Sequence, residues 1–262
     1  MPGRAAPRVL DPLEYPFDVP RAGYVWQAGA GGRASNLAPD VAAARAAARA
    51  AAPPAPAAGR PAGRGGEPAG RTAVLAIGSN ASPTQLDRKF AAAAFADPAT
   101  PEGRIPVVPA TVPDVDVVYA ARVAHYGAVP ATLAPSPGTV AQVFVTWLTP
   151  AQLDRMNETE SLGRAYRLTP VPGVRIDGCD PATVPAYTAI AGVARFGGGP
   201  LAVARVPATG RSFPAATQRA VWDRLAAAGG EPGGVPALLA AVVADPDRRA
   251  AVAALLRSGR LP

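Results

Sequence analysis

Some residue types are almost absent from this 262-residue chain, and their scarcity excludes several kinds of protein. Cys179 is the only cysteine and His125 the only histidine, so the sequence predicts neither an internal disulfide nor a zinc site. No apolar run is long enough to span a bilayer, because Arg45 and Arg49 interrupt the alanine-rich stretch 41–52. The sequence also opens without the apolar core of a signal peptide. We therefore expect a soluble, cytoplasmic protein with no membrane partner.

Lysine is equally scarce, since Lys89 is the only lysine among 26 basic residues. The excess of arginine, alanine, glycine and proline indicates a coding bias. The net charge is +7, but the basic residues are spread along the chain and form no dense cluster with aromatic residues. A nucleic-acid surface usually has such a cluster. We therefore predict no specific nucleic-acid partner. The sequence does not indicate an oligomeric state.

The 32 prolines and 27 glycines are distributed unevenly and suggest the domain organisation. Residues 53–72 are rich in Pro, Ala, Gly and Arg with little to bury, and we expect a disordered linker there. Residues 1–52 are expected to form a partly ordered arm, because Tyr15–Phe17 and Tyr24–Trp26 are apolar enough to dock on a folded surface. Residues 73–200 are expected to form the main domain, and 201–262 a helical extension.

A first motif lies where an apolar strand meets a small polar turn. Val74–Ile77 is followed by Gly78-Ser79-Asn80, and Ser82-Pro83 then suits the start of a helix expected to run from Thr84 to Ala96. Such a turn can direct backbone N–H groups at a carboxylate or a phosphate, and a glycine lets the ligand approach closely. An ordinary connection from strand to helix explains the same residues.

A second motif lies about 80 positions later. Val140–Leu148 has the β-branched and aromatic composition of a strand, and Thr149 then precedes a helix. Glu160 is four residues beyond Met156, so both lie on the inward face of that helix, whereas Glu158 is expected to face solvent. A carboxylate carried inward is either salt-bridged or placed to move protons.

The remaining pattern is less specific. Residues 184–196 resemble a strand or a strand pair with Tyr187, Ile190 and Val193 in the core. Beyond them, we expect helices that begin at Ser212, at Val235 and after Asp245.

Together the two motifs resemble the gamma-glutamylcyclotransferase family from about Ala73 to Phe196. That family has a Tyr-Gly-Ser-Asn loop after its first strand, then a strand, a short helix, a Leu-Asp-x-x-Glu-Gly motif and a Tyr-x-Arg. Here Ile77–Asn80 stands at the loop, Met156–Ser161 at the acidic motif, and Tyr166-Arg167 follows. Residues 131–138 resemble the family's approach to the central strand.

The chain also departs from the family's pattern at four positions. Ile77 replaces Tyr, Ala81 replaces Leu, Asn157 replaces Asp and Ser161 replaces Gly, while Glu160 is retained. Loss of the tyrosine hydroxyl removes one polar contact beside the substrate. The identity of the substrate is therefore open.

The resemblance implies an α+β fold with a small mixed β-barrel of five or six strands. It also implies conversion of a gamma-glutamyl amide or dipeptide into 5-oxoproline and a free amine or amino acid. Glu160 would be the general acid and base, backbone amides of Gly78, Ser79 and Asn80 would hold the substrate's carboxylate, and Ile77 and Tyr166 would complete the binding site. No metal or organic cofactor is required for this chemistry.

The same residues are compatible with other functions. The same fold could be a catalytically idle module that binds a small carboxylate, or an interaction protein. A serine hydrolase would need a histidine as the base for Ser79, and the only histidine, His125, is expected to be a structural residue on a strand from Val115 to Tyr126. Ser79 also lacks the Gly-x-Ser-x-Gly motif that surrounds the nucleophile in such enzymes. The leaving amine cannot be read from the sequence, because loops such as the one expected at Asp97–Pro113 select it.

Overall fold

The computed structural model describes residues 10–29, 70–176 and 182–261. Residues 53–69 of the predicted linker and Cys179 lie outside these ranges, as do residues 1–9 and 30–52 of the predicted arm.

Strands and helices are both well represented in the described ranges. The strands are β1 (Tyr24–Gln27), β2 (Thr72–Ala76), β3 (Arg104–Tyr119), β4 (Ala131–Leu148), β5 (Tyr166–Ile176), β6 (Ala182–Ala189), β7 (Ala202–Val203), β8 (Ala208–Thr209) and β9 (Ala215–Ala216). The helices are α1 (Pro83–Lys89), α2 (Pro150–Glu160), α3 (Gln218–Gly229), α4 (Gly234–Ala244) and α5 (Pro246–Ser258). The predicted α+β class is confirmed.

Five of the strands close into a small barrel. β3 pairs with β4, β4 with β2, β2 with β6, β6 with β5, and β5 returns to β3. Of these five pairings, β2 with β6 is parallel and the others are antiparallel. The register places Leu75 of β2 opposite Val145 on one side and Ala186 on the other. The mixed barrel implied by the resemblance is therefore present.

The course of β3 was predicted wrongly at both ends. It begins at Arg104, within the segment expected to be a loop up to Pro113, and it ends at Tyr119 instead of Tyr126. Prolines inside the segment favour a loop, because proline lacks the N–H group that a strand donates to its neighbour. The strand accommodates them in part through an irregularity before Val115, where Asp114 has a φ of 58°.

Three other boundaries differ from the sequence prediction. β4 begins at Ala131, well before Val140, and α1 ends at Lys89 instead of continuing to Ala96. α3 begins at Gln218 and not at Ser212. Its start is set by Thr217, whose side chain accepts a hydrogen bond from the backbone N–H of Ala220 at 3.2 Å, as an N-cap residue does.

Two apolar cores lie on opposite faces of the barrel strands. One fills the barrel from alternate strand residues such as Leu75 and Val145, and it continues to Trp222 and Leu256 of the C-terminal helices. The other lies outside the strands and contains the residues Trp26, Val74, Leu86, Ile105, Leu148 and Met156. It holds α1 and α2 against the barrel, and these two helices carry much of the candidate site.

The N-terminal segment docks on both cores, with Tyr15 and Phe17 in the core that fills the barrel and Tyr24 and Trp26 in the outer one. β1 pairs antiparallel with β3, and Tyr24, Val25 and Trp26 are buried. The Tyr24 hydroxyl donates to the backbone oxygen of Ala81 at 2.6 Å, and Trp26 Nε1 donates to Asp87 Oδ1 at 2.8 Å. The segment therefore fixes both the turn after β2 and the helix that follows it.

The three C-terminal helices pack against the barrel core. α4 begins one residue before the predicted Val235, and α5 begins directly after Asp245 as predicted. Trp222 and Leu238 are fully buried. The prediction that Ile190 lies in the core is wrong, because Ile190 follows the end of β6 and is exposed. Tyr187 is buried as predicted, and Val193 is half-buried.

Across the described ranges, no helix by itself is long and apolar enough to cross a membrane. α3 and α4 reach the necessary length and apolar composition only when they are counted together, and the angle between them is 89°.

Candidate functional site

A cavity of about 300 Å³ opens where the turn after β2 meets the end of α2. All six residues predicted for the site line it, namely Ile77, Gly78, Ser79, Asn80, Glu160 and Tyr166. The two sequence motifs are therefore brought together, although 80 positions separate Asn80 from Glu160.

The turn is shaped by a tight backbone and a close neighbour. β2 ends at Ala76, and residues 79–81 form a single 3-10 turn in which Ala81 N–H donates to the Gly78 oxygen at 3.2 Å. The amides of Ser79 and Asn80 precede that first hydrogen bond, so the turn itself does not use them. A Cβ on Gly78 would overlap the hydroxyl of Tyr15, which explains the glycine.

Glu160 is held by the geometry of α2. The helix begins with a capping box in which Thr149 and Gln152 satisfy each other's backbone N–H groups. Met156, one turn before Glu160, is buried in the outer core, and the Glu160 side chain is only 13% exposed. The inward direction predicted from the spacing of these two residues is therefore observed.

Two donors meet at one oxygen of Glu160. Asn80 Nδ2 donates to Glu160 Oε1 at 3.1 Å, and Lys89 Nζ forms an ion pair with the same oxygen. Neither donor is bonded to Oε2. The carboxylate is thus oriented through Oε1, and Oε2 is left for another partner.

The other end of the Asn80 amide has no partner within the described part of the chain. Asn80 Oδ1 is buried and accepts no hydrogen bond there. Because Nδ2 is the end that can donate to a carboxylate, the orientation of the amide is set by Glu160. A buried acceptor without a donor costs free energy, and a ligand with an N–H or O–H group would remove that cost.

Four tyrosines surround the carboxylate. Tyr15, Tyr126, Tyr166 and Tyr187 all line the cavity. Burial, reinforced by the charge of Glu160, raises the pKa of Tyr126 to about 12. The same two causes, burial first, raise the pKa of Tyr166 and of Tyr187. These three phenols are therefore neutral at physiological pH. Tyr187 already donates to Asn157 Oδ1 at 2.6 Å, which leaves Tyr126 and Tyr166 as the hydrogen-bond donors open to a ligand.

Cations outnumber anions on the cavity wall. Arg88 and Arg122 line it together with Lys89, and Glu160 is the one carboxylate among the described lining residues. Arg122 lies over the ring of Tyr166 at 4.9 Å and Arg88 over that of Tyr126 at 5.3 Å. Neither arginine pairs with a carboxylate of the described residues. The cavity therefore favours an anionic ligand.

His125 lies elsewhere than predicted. It belongs to a turn beyond β3, not to a strand, and it lines the same cavity as Ser79. No hydrogen bond joins His125 to Ser79 in the described structure, so the pair lacks the contact that a serine nucleophile needs. In the described ranges, no group of three or more His, Cys, Asp and Glu side chains is arranged to hold a metal ion.

Several lining residues were not predicted. Lys89 carried a signal, because it is the only lysine of the chain, but the sequence did not show that it faces Glu160. Arg122 and Tyr126 lay in a segment assigned to a strand, and Tyr15 comes from the N-terminal segment. Their shared location depends on long-range pairing that no local pattern reveals.

No protein-family model matches the chain, and no match was found among curated proteins. Among solved structures, it is similar to a gamma-glutamyl cyclotransferase, with 15% identity and a TM-score of 0.37 over 45% of this chain and 66% of that one. A human protein matches at 16% identity and a TM-score of 0.37, covering 46% of this chain and 67% of that one. An Arabidopsis thaliana protein matches at 19% identity and a TM-score of 0.34, covering 46% and 70%. The similarity is thus to part of a fold, over slightly less than half of this chain and just under two thirds of the cyclotransferase.

Proposed function

We propose that this chain is a gamma-glutamyl cyclotransferase, which converts a gamma-glutamyl amide or dipeptide into 5-oxoproline and a free amine or amino acid. The observation that carries the proposal is the shared cavity of Glu160 and the turn Gly78–Asn80. The cavity combines a buried proton acceptor with a site for an anion, and a gamma-glutamyl group has both an ammonium and a carboxylate to fit them.

The substrate's α-ammonium is assigned to the space between Asn80 and Glu160. An ammonium group is a donor without acceptor capacity. Glu160 Oε2 and the unpaired Asn80 Oδ1 are two acceptors that such a group can satisfy together. Binding there would remove the cost of the buried, unpaired Asn80 oxygen.

The substrate's α-carboxylate is assigned to the turn after β2. The amides of Ser79 and Asn80 are not used by the turn itself, and Gly78 has no side chain to obstruct the approach. Arg88, Arg122 and the neutral tyrosines add positive charge and hydrogen-bond donors nearby. Holding both charged groups of one substrate bends it so that its nitrogen can reach its own side-chain carbonyl.

The reaction begins with removal of a proton from the α-ammonium by Glu160. The freed nitrogen attacks the side-chain carbonyl carbon and closes a five-membered ring, and the former amide C–N bond then breaks. A protonated Glu160 can return its proton to the departing nitrogen, and a second proton passes from the ring nitrogen to the released amine. Donors around the cavity stabilise the negative charge that develops on the carbonyl oxygen.

A second candidate is an anion-binding module without turnover. The excess of cations over carboxylates on the cavity wall favours it, as does the ion pair that already occupies Oε1 of Glu160. Such a module would bind gamma-glutamyl compounds and release them unchanged.

The decisive experiment incubates the full chain with gamma-glutamyl dipeptides, gamma-glutamyl amines and glutathione, and measures 5-oxoproline. We expect turnover by the native protein and a loss of about 10²- to 10⁴-fold in Glu160→Gln, which keeps the shape of the side chain but cannot accept the proton. Glu158→Gln is the matched control, because Glu158 is exposed on the same helix and lines no part of the cavity.

Circular dichroism and thermal melting would establish that both variants are folded. Equal turnover in Glu160→Gln and in the native protein would contradict the mechanism. Tight binding of the substrates by the native protein without any 5-oxoproline would favour the anion-binding module.

A further inference from the structure

Lys89 has an unusual position for the only lysine of the chain. Its side chain is 6% exposed, it lines the cavity, and its Nζ contacts Glu160 Oε1 and, at 3.3 Å, the sulfur of Met156. Every other basic side chain among the 26 is an arginine. An arginine would supply a fixed positive charge, whereas a lysine can also lose its proton.

The proposed cyclisation moves two protons from the attacking nitrogen to the departing one, whereas a single carboxylate can hold only one proton at a time. The α-nitrogen enters as –NH3⁺ and ends as the ring N–H, so it loses two protons. The departing nitrogen enters as an amide N–H and leaves as –NH3⁺, so it gains two. Glu160 holds one proton at a time, and a second carrier beside it would allow both transfers within the closed site.

We propose that Lys89 is a catalytic proton carrier that works with Glu160, an inference that rests on the cyclotransferase function proposed above. Glu160 takes the first proton from the α-ammonium, and the nitrogen attacks the carbonyl carbon. The Lys89 ammonium gives a proton to the departing nitrogen as the C–N bond breaks, and the resulting Lys89 amine takes the second proton from the ring nitrogen. Glu160 then returns its proton to the released amine. All protons balance, and both side chains end in their starting states.

Three features of the structure support this role. Lys89 and Glu160 are already in contact, so a proton can pass between them and a shared substrate over a short path. Nζ faces the cavity from α1, while Glu160 faces it from the end of α2. The sulfur of Met156 is a weak acceptor, so it does not compete strongly for the lysine proton.

The test separates the charge of Lys89 from its proton. Lys89→Arg keeps the charge but cannot release a proton at physiological pH, and Lys89→Met removes both. We expect kcat for 5-oxoproline formation to fall by about 100-fold or more in each variant. In Lys89→Arg we expect KM to change by no more than about threefold, because the substrate's contacts do not depend on proton transfer.

A chemical rescue distinguishes proton transfer from a failure of arginine to fit. In a Cys179→Ser background, Lys89→Cys is alkylated with 2-bromoethylamine, which rebuilds a side chain with a terminal amine. Mass spectrometry establishes the modification, and circular dichroism establishes the fold. We expect the rebuilt amine to restore most of the lost kcat.

The outcomes distinguish this inference from the function on which it rests. If the native protein forms no 5-oxoproline from any substrate, the cyclotransferase proposal fails, and the role of Lys89 fails with it. If the native protein is active and the kcat of Lys89→Arg stays within about threefold of the native value, Lys89 contributes its positive charge but does not transfer a proton. If the folded, alkylated variant stays as inactive as Lys89→Cys, proton transfer by the amine is likewise excluded.

Discussion

Asn80 and Glu160 meet across the cavity, with Asn80 Nδ2 donating to Glu160 Oε1 at 3.1 Å. One comes from the turn after β2 and the other from the last residue of α2. The contact joins the part of the site suited to an anion to the part suited to an ammonium, and it leaves Asn80 Oδ1 without a partner among the described residues. Asn80 is therefore the residue through which the two halves of the site affect each other.

Replacement of Asn80 by alanine should weaken substrate binding. The variant loses the acceptor assigned to the substrate's ammonium and the donor that orients Glu160. Hydrogen bonds to charged groups contribute about 1.5–3 kcal/mol, so KM should rise by about 10- to 150-fold. Steady-state kinetics of 5-oxoproline formation would measure it. Gln27→Ala, which removes an amide outside the cavity, should leave KM unchanged, and an unchanged KM in Asn80→Ala would refute the assignment.

Replacement of Gly78 by alanine should destabilise the protein. The added Cβ would overlap the Tyr15 hydroxyl, which itself accepts a hydrogen bond from Ala131 N–H at 2.9 Å. Overpacking of this kind lowers the free energy of unfolding by about 1–3 kcal/mol. Urea denaturation of the variant and the native protein would measure the difference. Gly198→Ala is the control, because no atom lies within 4 Å of its added Cβ.

A double variant would identify the cause of that loss. Tyr15→Phe removes the overlapping oxygen, so Gly78→Ala should cost less stability in the Tyr15→Phe background than in the native protein. Strictly additive losses would mean that the turn is disturbed for another reason.

The single histidine should titrate below its ordinary range. Partial loss of solvent lowers the pKa of His125, whose side chain is still exposed on one side, and the charges of Arg88, Arg249 and Arg122 lower it further. Between that lowered pKa and about 6.5, the unfolded chain binds more protons than the folded one, so stability should fall as the pH decreases through this window. NMR titration of the imidazole would give the pKa directly. A value at or above 6.5 would contradict the structure around His125.

The ion pair between Asp116 and Arg211 should matter more for stability than a surface pair. Arg211 Nε and Nη2 donate to the two carboxylate oxygens of Asp116 at 2.8 and 3.0 Å, and Asp116 is fully buried. Asp116→Ala would leave a largely buried guanidinium without its partner, at a cost of about 3–5 kcal/mol in the free energy of unfolding. Urea denaturation would measure it.

The matched control for that prediction is Asp223→Ala. Asp223 pairs with Arg219 on the surface of α3, where both side chains are more than half exposed. Such pairs contribute about 0–1 kcal/mol. Similar losses in the two variants would contradict the importance assigned to burial.

The parts of the site that follow from local chemistry could be predicted from the sequence. The helical spacing between Met156 and Glu160 fixes the side on which Glu160 lies, and the order of strand, glycine and proline fixes the turn at Gly78. These features depend on a few neighbouring residues. The barrel came from the resemblance, because strand composition alone does not specify which strands pair.

The remainder depends on long-range contacts or on exceptions to local rules. Tyr15 reaches the cavity from the N-terminal segment, and nothing in the intervening sequence indicates its destination. The first part of β3, up to Pro113, was missed because its prolines favour a loop, although pairing with β4 and β1 holds it extended. The partnership of Lys89 with Glu160 depends on how α1 and α2 pack, which sequence spacing cannot supply.

The N-terminal segment also determines what can be removed from the chain. Because β1 pairs with β3, and Tyr15 forms part of the cavity wall, a version starting at Ala73 would lack part of its site. Cleavage between residues 30 and 69 would instead leave both contributors present as separate polypeptides. Activity would then depend on the concentration of the two fragments, as in a split enzyme whose halves must find each other before either can work.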